Sequence, residues 1–141
     1  MSEWEKYFRE LLDGVNVEGN QVREREVNVM PDEDGVSIEL VREVIASLKK
    51  GKACGVDQVE SEAWMWATDE CIRVLAGFLD EIWRGTREWP ESWKYGVIVP
   101  VYKKGSREDV KSYRGVTVLN TCYKIFAKVA QRKLEREVGR M

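Results

Sequence analysis

No histidine occurs among the 141 residues of this chain, and there are only three cysteines and three prolines. Without histidine there is no imidazole general base, no Ser-His or Cys-His nucleophile pair and no Cys-His zinc site. Cys54, Cys71 and Cys122 are widely spaced and form no C-x-x-C pair. That argues against a zinc knuckle or a disulfide framework and reads as reduced, partly buried thiols. No apolar run is long enough to span a bilayer, and no charged-then-apolar signal segment opens the chain. The expectation is an intracellular protein, of nucleus or cytoplasm, with no membrane partner.

What is present is enough for one ordinary domain, with 43% apolar residues to supply a core. Six tryptophans are many for this length, and large aromatics serve packing first. Trp64, Trp66, Trp83, Trp89 and Trp93 are all assigned to packing, with Trp93 anchoring the first strand. The net charge of −2 hides an asymmetry. From Gly96 to Met141 there are eleven Lys/Arg against four Asp/Glu, a net of +7, which leaves −9 for residues 1–95. Such a split points to an anionic partner for the last third, or to a dipolar surface whose halves pair with each other.

Hydrophobic spacing predicts a short amphipathic helix from Trp4 to Leu12, with Trp4, Phe8, Leu11 and Leu12 on one side. Gly14 to Gly35 has no sustained period and reads as a charged linker. Ser37 is placed to cap a helix running to Lys50, closed by Gly51. Gly51 to Val59 reads as a loop and Glu62 to Trp66 as a short helix. Thr68 can cap the next helix, whose stripe of Cys71, Ile72, Leu75, Phe78, Leu79, Ile82 and Trp83 reaches Gly85. A last helix is predicted from about Thr121 to Val138. Tyr123, Phe126, Ala127, Ala130 and Leu134 are its expected buried face, and Lys124, Lys128, Arg132 and Arg136 a second, basic one. That stripe fits either a solvated helix face or a track for a phosphate backbone.

Between Pro90 and this helix lie two strand-like runs. Residues 96–102 are mostly β-branched or aromatic, as in a buried strand, and Val116 to Leu119 read as a second strand. The intervening segment carries Lys103, Lys104, Gly105, Arg107, Lys111 and Arg114. A hairpin with this many cations and a glycine is suited to polyphosphate or a nucleic-acid backbone.

These residues also carry a resemblance. Trp93-Lys94, Pro100, Lys103-Lys104-Gly105, Tyr113-Arg114-Gly115-Val116, Leu119-Asn120-Thr121, Tyr123-Lys124-Ile125, Ala127-Lys128 and Arg132 resemble the first conserved block of reverse transcriptases from retrotransposons without long terminal repeats. The leucine that usually follows Arg132 is displaced to Leu134. Upstream, Gly51-Lys52-Ala53-Cys54-Gly55-Val56-Asp57-Gln58-Val59 resembles that family's G-K-A-x-G-x-D-G-[IV] loop, with Gln58 in place of a glycine. A side chain there is strained if the position needs positive φ. Trp4, Tyr7-Phe8 and Leu11-Leu12 resemble the segment that precedes the polymerase fingers.

The resemblance implies an α+β fold, with helices packed around a short antiparallel hairpin, as the fingers part of a right-hand polymerase whose palm is absent. Residues 1–35 would be an N-terminal helix and charged linker, and residues 36–141 a partial reverse transcriptase domain. The reaction implied is RNA-directed DNA synthesis. RNA template, DNA primer, deoxynucleoside triphosphate and the missing palm region are the implied partners, and Mg2+ the cofactor of the full-length enzyme. The two aspartates that hold the metal pair lie later in the family's sequence than the position matching Met141. Glu108-Asp109, Asp69-Glu70 and Asp32-Glu33-Asp34 do not replace them, so the chain alone is expected to hold no metal, contribute no catalytic residue and not polymerise.

Within the resemblance, Arg114 with Lys103 or Lys104 would meet the incoming triphosphate. The alternative is that Arg114 pairs with Glu108 or Asp109 and only fixes the hairpin. Lys52, Lys124, Lys128 and Arg132 are the candidate nucleic-acid contacts. Tyr113 could stack on a base or sit at the rim of the core, and Asp57 could cap the following helix. A stand-alone nucleic-acid-binding module and a co-opted, non-enzymatic interaction domain are the other functions consistent with the sequence. Cut from a palm, the piece would expose apolar surface and strand edges and tend to aggregate.

Overall fold

The computed structural model describes residues 1–12 and 34–139. The predicted linker lies almost wholly outside them. Five α-helices and one two-stranded hairpin are described: α1 Glu3–Leu12, α2 Ile38–Ala46, α3 Ser61–Met65, α4 Asp69–Trp83, β1 Val97–Tyr102, β2 Tyr113–Val118 and α5 Thr121–Gly139. The chain divides into two compact units that do not follow chain order. One joins α1 to residues 98–117 of the hairpin. The other holds α2 to α5.

In the first unit, the Ser2 hydroxyl accepts the Glu5 N–H at 3.2 Å and starts α1, and Glu5 pairs with Arg9 one turn on. Phe8 is buried, but Leu11 and Leu12 are 56% and 61% exposed, so the expected four-residue face is narrower than its spacing implied. Phe8 lies over Gly115 of β2, where a Cβ would stand 2.9 Å from the phenyl ring and 3.0 Å from Ile98. The strands also depart from expectation. β2 begins at Tyr113, three residues early, which puts Arg114 inside the strand rather than in the loop. Every residue of β1 is exposed, against the expected buried strand. β-branched composition reports fitness for a pleated surface, not a second layer over it, and among the described residues this sheet has two strands.

In the second unit, Ser37 and Thr68 cap α2 and α4 as predicted, accepting the N–H groups of Leu40 and Cys71. α2 ends at Ala46, short of the expected Lys50, because the Ser47 hydroxyl turns back to donate to Val44 O at 2.7 Å. Leu40, Val41, Val44 and Ile45 pack on Ile72, Leu75, Ala76, Leu79 and Ile82 of α4 and on Ile125, Phe126 and Val129 of α5. Cys71, placed in the apolar stripe by its spacing, is exposed. Trp93 is the aromatic hub, within 6 Å of the Phe78, Trp89, Tyr123 and Phe126 ring centroids. Trp66, assigned to packing, is instead 74% exposed just past the end of α3.

The expected buried face of α5 holds in part. Its buried residues are Thr121, Ile125, Phe126, Val129 and Lys133, and Tyr123 is half-buried against the core, so Phe126 and Tyr123 pack as expected. Ala127 and Leu134 are instead exposed, and with Ala130 they line an open apolar groove beside Trp89 and Val138. The buried lysine carries its ammonium to Asp34 O and Gly35 O, 5.1 Å from the centre of the Trp83 ring.

Candidate functional site

The basic hairpin is held from its own base. At the end of β1, Lys103 N–H donates to Ser112 O at 2.8 Å, which closes the loop. Gly105 takes φ 101, a region L side chains avoid, and a Cβ there would also stand 2.6 Å from the Ser112 hydroxyl. The Asp109 carboxylate accepts the Lys111 N–H at 2.9 Å and caps a 3-10 turn, Val110–Ser112. The Ser106 hydroxyl accepts the Glu108 N–H.

Two tyrosines flank the loop, one at each strand end. Tyr102 donates its hydroxyl to Gly105 O at 2.7 Å, and Tyr113 donates its own to Arg107 O at 3.0 Å. Their rings meet edge to face at 5.5 Å between centroids, and Trp4 of α1 meets Tyr113 the same way at 4.8 Å. The Arg107 guanidinium lies 5.5 Å over the Tyr102 ring. By sequence Tyr113 fits either a base-stacking or a rim residue, and the parts of Tyr102 and Trp4 emerge only in the fold. The available signal was the tyrosine at either end of a cation-rich loop.

Lys103, Lys104 and Arg114 are exposed. Arg114 makes no ion pair with Glu108 or Asp109, and none of the three makes an ion pair among the described residues. Three cations therefore stand on one hairpin without a carboxylate partner there. Paired cations are already neutralised, whereas these are available to an anionic ligand.

The other candidates lie in the helical unit and are differently engaged. Lys124 donates to Ala53 O at 3.0 Å, tying α5 to the Gly51–Val59 loop. Lys128 donates to the Ser47 hydroxyl at 3.1 Å and to Ser47 O at 3.5 Å. Arg132 lies 3.7 Å from Glu135, and Arg136 reaches Glu43 at 3.4 Å. The basic face of α5 thus makes internal contacts, while Lys52 is exposed in its loop. In that loop Gln58 has φ 56, the positive φ that a glycine would adopt without strain. Asp57 accepts the Val59 N–H at 3.2 Å in a local turn, and α3 starts without a side-chain cap.

Asp69 and Glu70 occupy the first turn of α4, as expected. A hydrogen bond and the charge of Arg42, 2.8 Å away, hold the Asp69 carboxyl below the usual range. No group of three or more carboxylate or cysteine side chains that could hold a metal ion occurs among the described residues.

Over 100 residues, 70% of this chain, the sequence is 28% identical to the RNA-directed DNA polymerase from mobile element jockey of Drosophila melanogaster. The chain covers 11% of the length of that protein. It is similar, distantly and in part, to a retrotransposon reverse transcriptase. No protein-family model and no solved structure matches it.

Proposed function

We propose that this chain is part of the fingers region of a retroelement RNA-directed DNA polymerase. Its hairpin holds phosphates, those of an incoming deoxynucleoside triphosphate or of a template strand. The observation that carries the reading is the cluster of Lys103, Lys104 and Arg114, three exposed cations with no carboxylate partner among the described residues. The distant similarity to the jockey polymerase supports the same reading. Arg114 supplies a planar fork for two phosphate oxygens, and the lysines supply mobile point charges. Lys52, exposed in its own loop of the second unit, is a separate candidate contact for a nucleic-acid backbone. Lys124, Lys128 and Arg132 contribute less, because each already has an internal partner. The metal ligands and the chemistry belong to other parts of the polymerase, with RNA template, DNA primer and Mg2+.

The test is binding of fluorescein-labelled single-stranded RNA to the intact chain across a salt series. Wild type is expected to bind with a log–log salt slope that falls by about 2 when Lys103, Lys104 and Arg114 are all changed to alanine. Unchanged affinity and slope in that triple variant would sink the phosphate reading. RNA binding would then lie elsewhere on the chain, whereas a folded wild-type chain with no RNA affinity would leave a non-enzymatic interaction domain.

A further inference from the structure

We infer that Trp4 is a positioning residue for the basic loop, acting through Tyr113. The inference rests on the phosphate reading above and adds to it a segment about a hundred residues distant in the sequence.

The connection runs through named contacts within one compact unit. Trp4 sets its ring edge-to-face on Tyr113 at 4.8 Å. Phe8, one helical turn on and stacked with Trp4 at 6.2 Å, is seated on Gly115, where only a missing Cβ allows the approach. The Tyr113 ring, fixed from one side by Trp4, is met from another by Tyr102 at 5.5 Å. The two hydroxyls then reach opposite parts of the loop, Tyr113 to Arg107 O and Tyr102 to Gly105 O. A loop of this composition has no apolar anchor of its own between Lys103 and Asp109. The Lys103 N–H bond to Ser112 O closes its base, and these two hydrogen bonds add the ties to its tip, whose direction depends on the rings. Removing the indole frees the Tyr113 ring to change rotamer and releases Arg107 O. The backbone that presents Lys103 and Lys104 is then ordered only on binding, and that ordering entropy weakens affinity.

The experiment compares wild type, Trp4→Ala, Trp4→Phe and Tyr113→Phe as full chains, by amide hydrogen exchange and by binding of the labelled RNA. In Trp4→Ala, exchange at residues 105–109 is expected to rise by about tenfold or more while α2, α4 and α5 stay protected, and RNA affinity to fall by roughly fivefold. Trp4→Phe keeps a ring edge on Tyr113 and is expected to restore both to within about threefold of wild type. Tyr113→Phe keeps the ring and loses the hydroxyl, and is expected to loosen the loop without disturbing α1. Should Trp4→Ala melt α1 itself, the phenylalanine variants decide. Wild-type loop exchange in Trp4→Ala or in Tyr113→Phe overturns the inference. So does a Trp4→Phe chain with intact α1 and a loop as loose as in Trp4→Ala, or, where the alanine triple variant has lost RNA affinity, a loosened loop with unchanged affinity. The alanine triple variant of Lys103, Lys104 and Arg114 separates the two claims. If it binds RNA as wild type does, the phosphate reading falls, and loop exchange alone still decides whether Trp4 orders the loop.

Discussion

Gly55 lies so close to Asn120 that a methyl group on it would stand 2.1 Å from the asparagine side-chain oxygen and 2.5 Å from its backbone nitrogen. The Gly51–Val59 loop and the start of α5 interlock at this point. The Thr121 hydroxyl donates to Val59 O at 2.8 Å and Lys124 donates to Ala53 O at 3.0 Å, so three successive contacts fix one loop to one helix end. Asn120 itself is buried, and its side-chain oxygen finds no hydrogen-bond partner among the described residues. Even if that side chain swings aside, its backbone N and Cα, at 2.5 and 2.7 Å, cannot. Gly55→Ala is therefore expected to destabilise the chain by about 2–3 kcal/mol, the upper part of the range for overpacking. A urea titration checks this, as a lower midpoint with an unchanged slope. An unaltered midpoint would refute the close approach.

Gln58, in the same loop, has the opposite problem. Its φ of 56 follows a turn closed by its own N–H on Gly55 O at 3.1 Å, and an L side chain in that region costs about 1–2 kcal/mol. Glycine relieves the strain but gives back roughly 0.5–1 kcal/mol in chain entropy. Gln58→Gly should raise the thermal midpoint, by a net gain of up to about 1.5 kcal/mol. A lowered midpoint would mean that the glutamine side chain makes contacts that outweigh the strain.

Asp80 is one of the carboxylates that tie the stability of the helical unit to pH in the acid range, Asp69 beside Arg42 being another. Burial pushes its pKa up, but the hydrogen bonds from Arg84 and from Val36 N–H, with the charges of Arg84 and Lys133, outweigh burial and hold it below 3.8. The bonds measure 2.8 Å and 2.7 Å. A group with a depressed folded pKa contributes stability that is present above its unfolded value and is lost as pH falls through the folded one. Wild type should therefore lose this contribution on going below about pH 3.8. Asp80→Asn should lower stability at neutral pH by about 1–2 kcal/mol and flatten that acid limb. Parallel acid limbs in the two chains would show that other carboxylates govern the loss.

Several elements were legible because their signals are local. Ser37 and Thr68 announce helix starts by the chemistry of one hydroxyl and one N–H, and both cap as their sequence context implied. The loop with Gln58 in a glycine position was legible in the same way. The burial face of α5 was legible only in part: Phe126 and Tyr123 pack on the core as expected. Ala127, Ala130 and Leu134 keep helical spacing as well as Ile125 and Val129 do, and periodicity alone does not choose between them. Lys133 can be buried because its stem and ammonium find Trp83 and two loop carbonyls, partners far away in sequence. The candidate site was legible in its cations and illegible in its support, since Trp4 meets Tyr113 across most of the chain's length. The exposure of β1 depends on how many strands join it, which β-branched composition does not encode.

The three thiols should separate by accessibility. Cys71 is exposed on α4, Cys54 is half-buried in its loop, and Cys122 is half-buried in the first turn of α5. Burial, and after it the negative charge of Asp57, push the Cys122 thiol up to about 11. At pH 8 roughly one molecule in a thousand then carries the Cys122 thiolate, the form that reacts. Cys71 and Cys122 line the same apolar hollow, with Trp64, Val74 and Phe78, so any difference between them reports local geometry rather than a different part of the molecule. A short pulse of a thiol-reactive disulfide at pH 8, read by peptide mass spectrometry, should modify Cys71 first and Cys122 last. Cys122 should match the others only in denaturant. Equal labelling of Cys71 and Cys122 in the folded chain would mean that the start of α5 is open. The Gly55–Asn120 interlock, two residues before Cys122, would then be open as well, and the two experiments must agree.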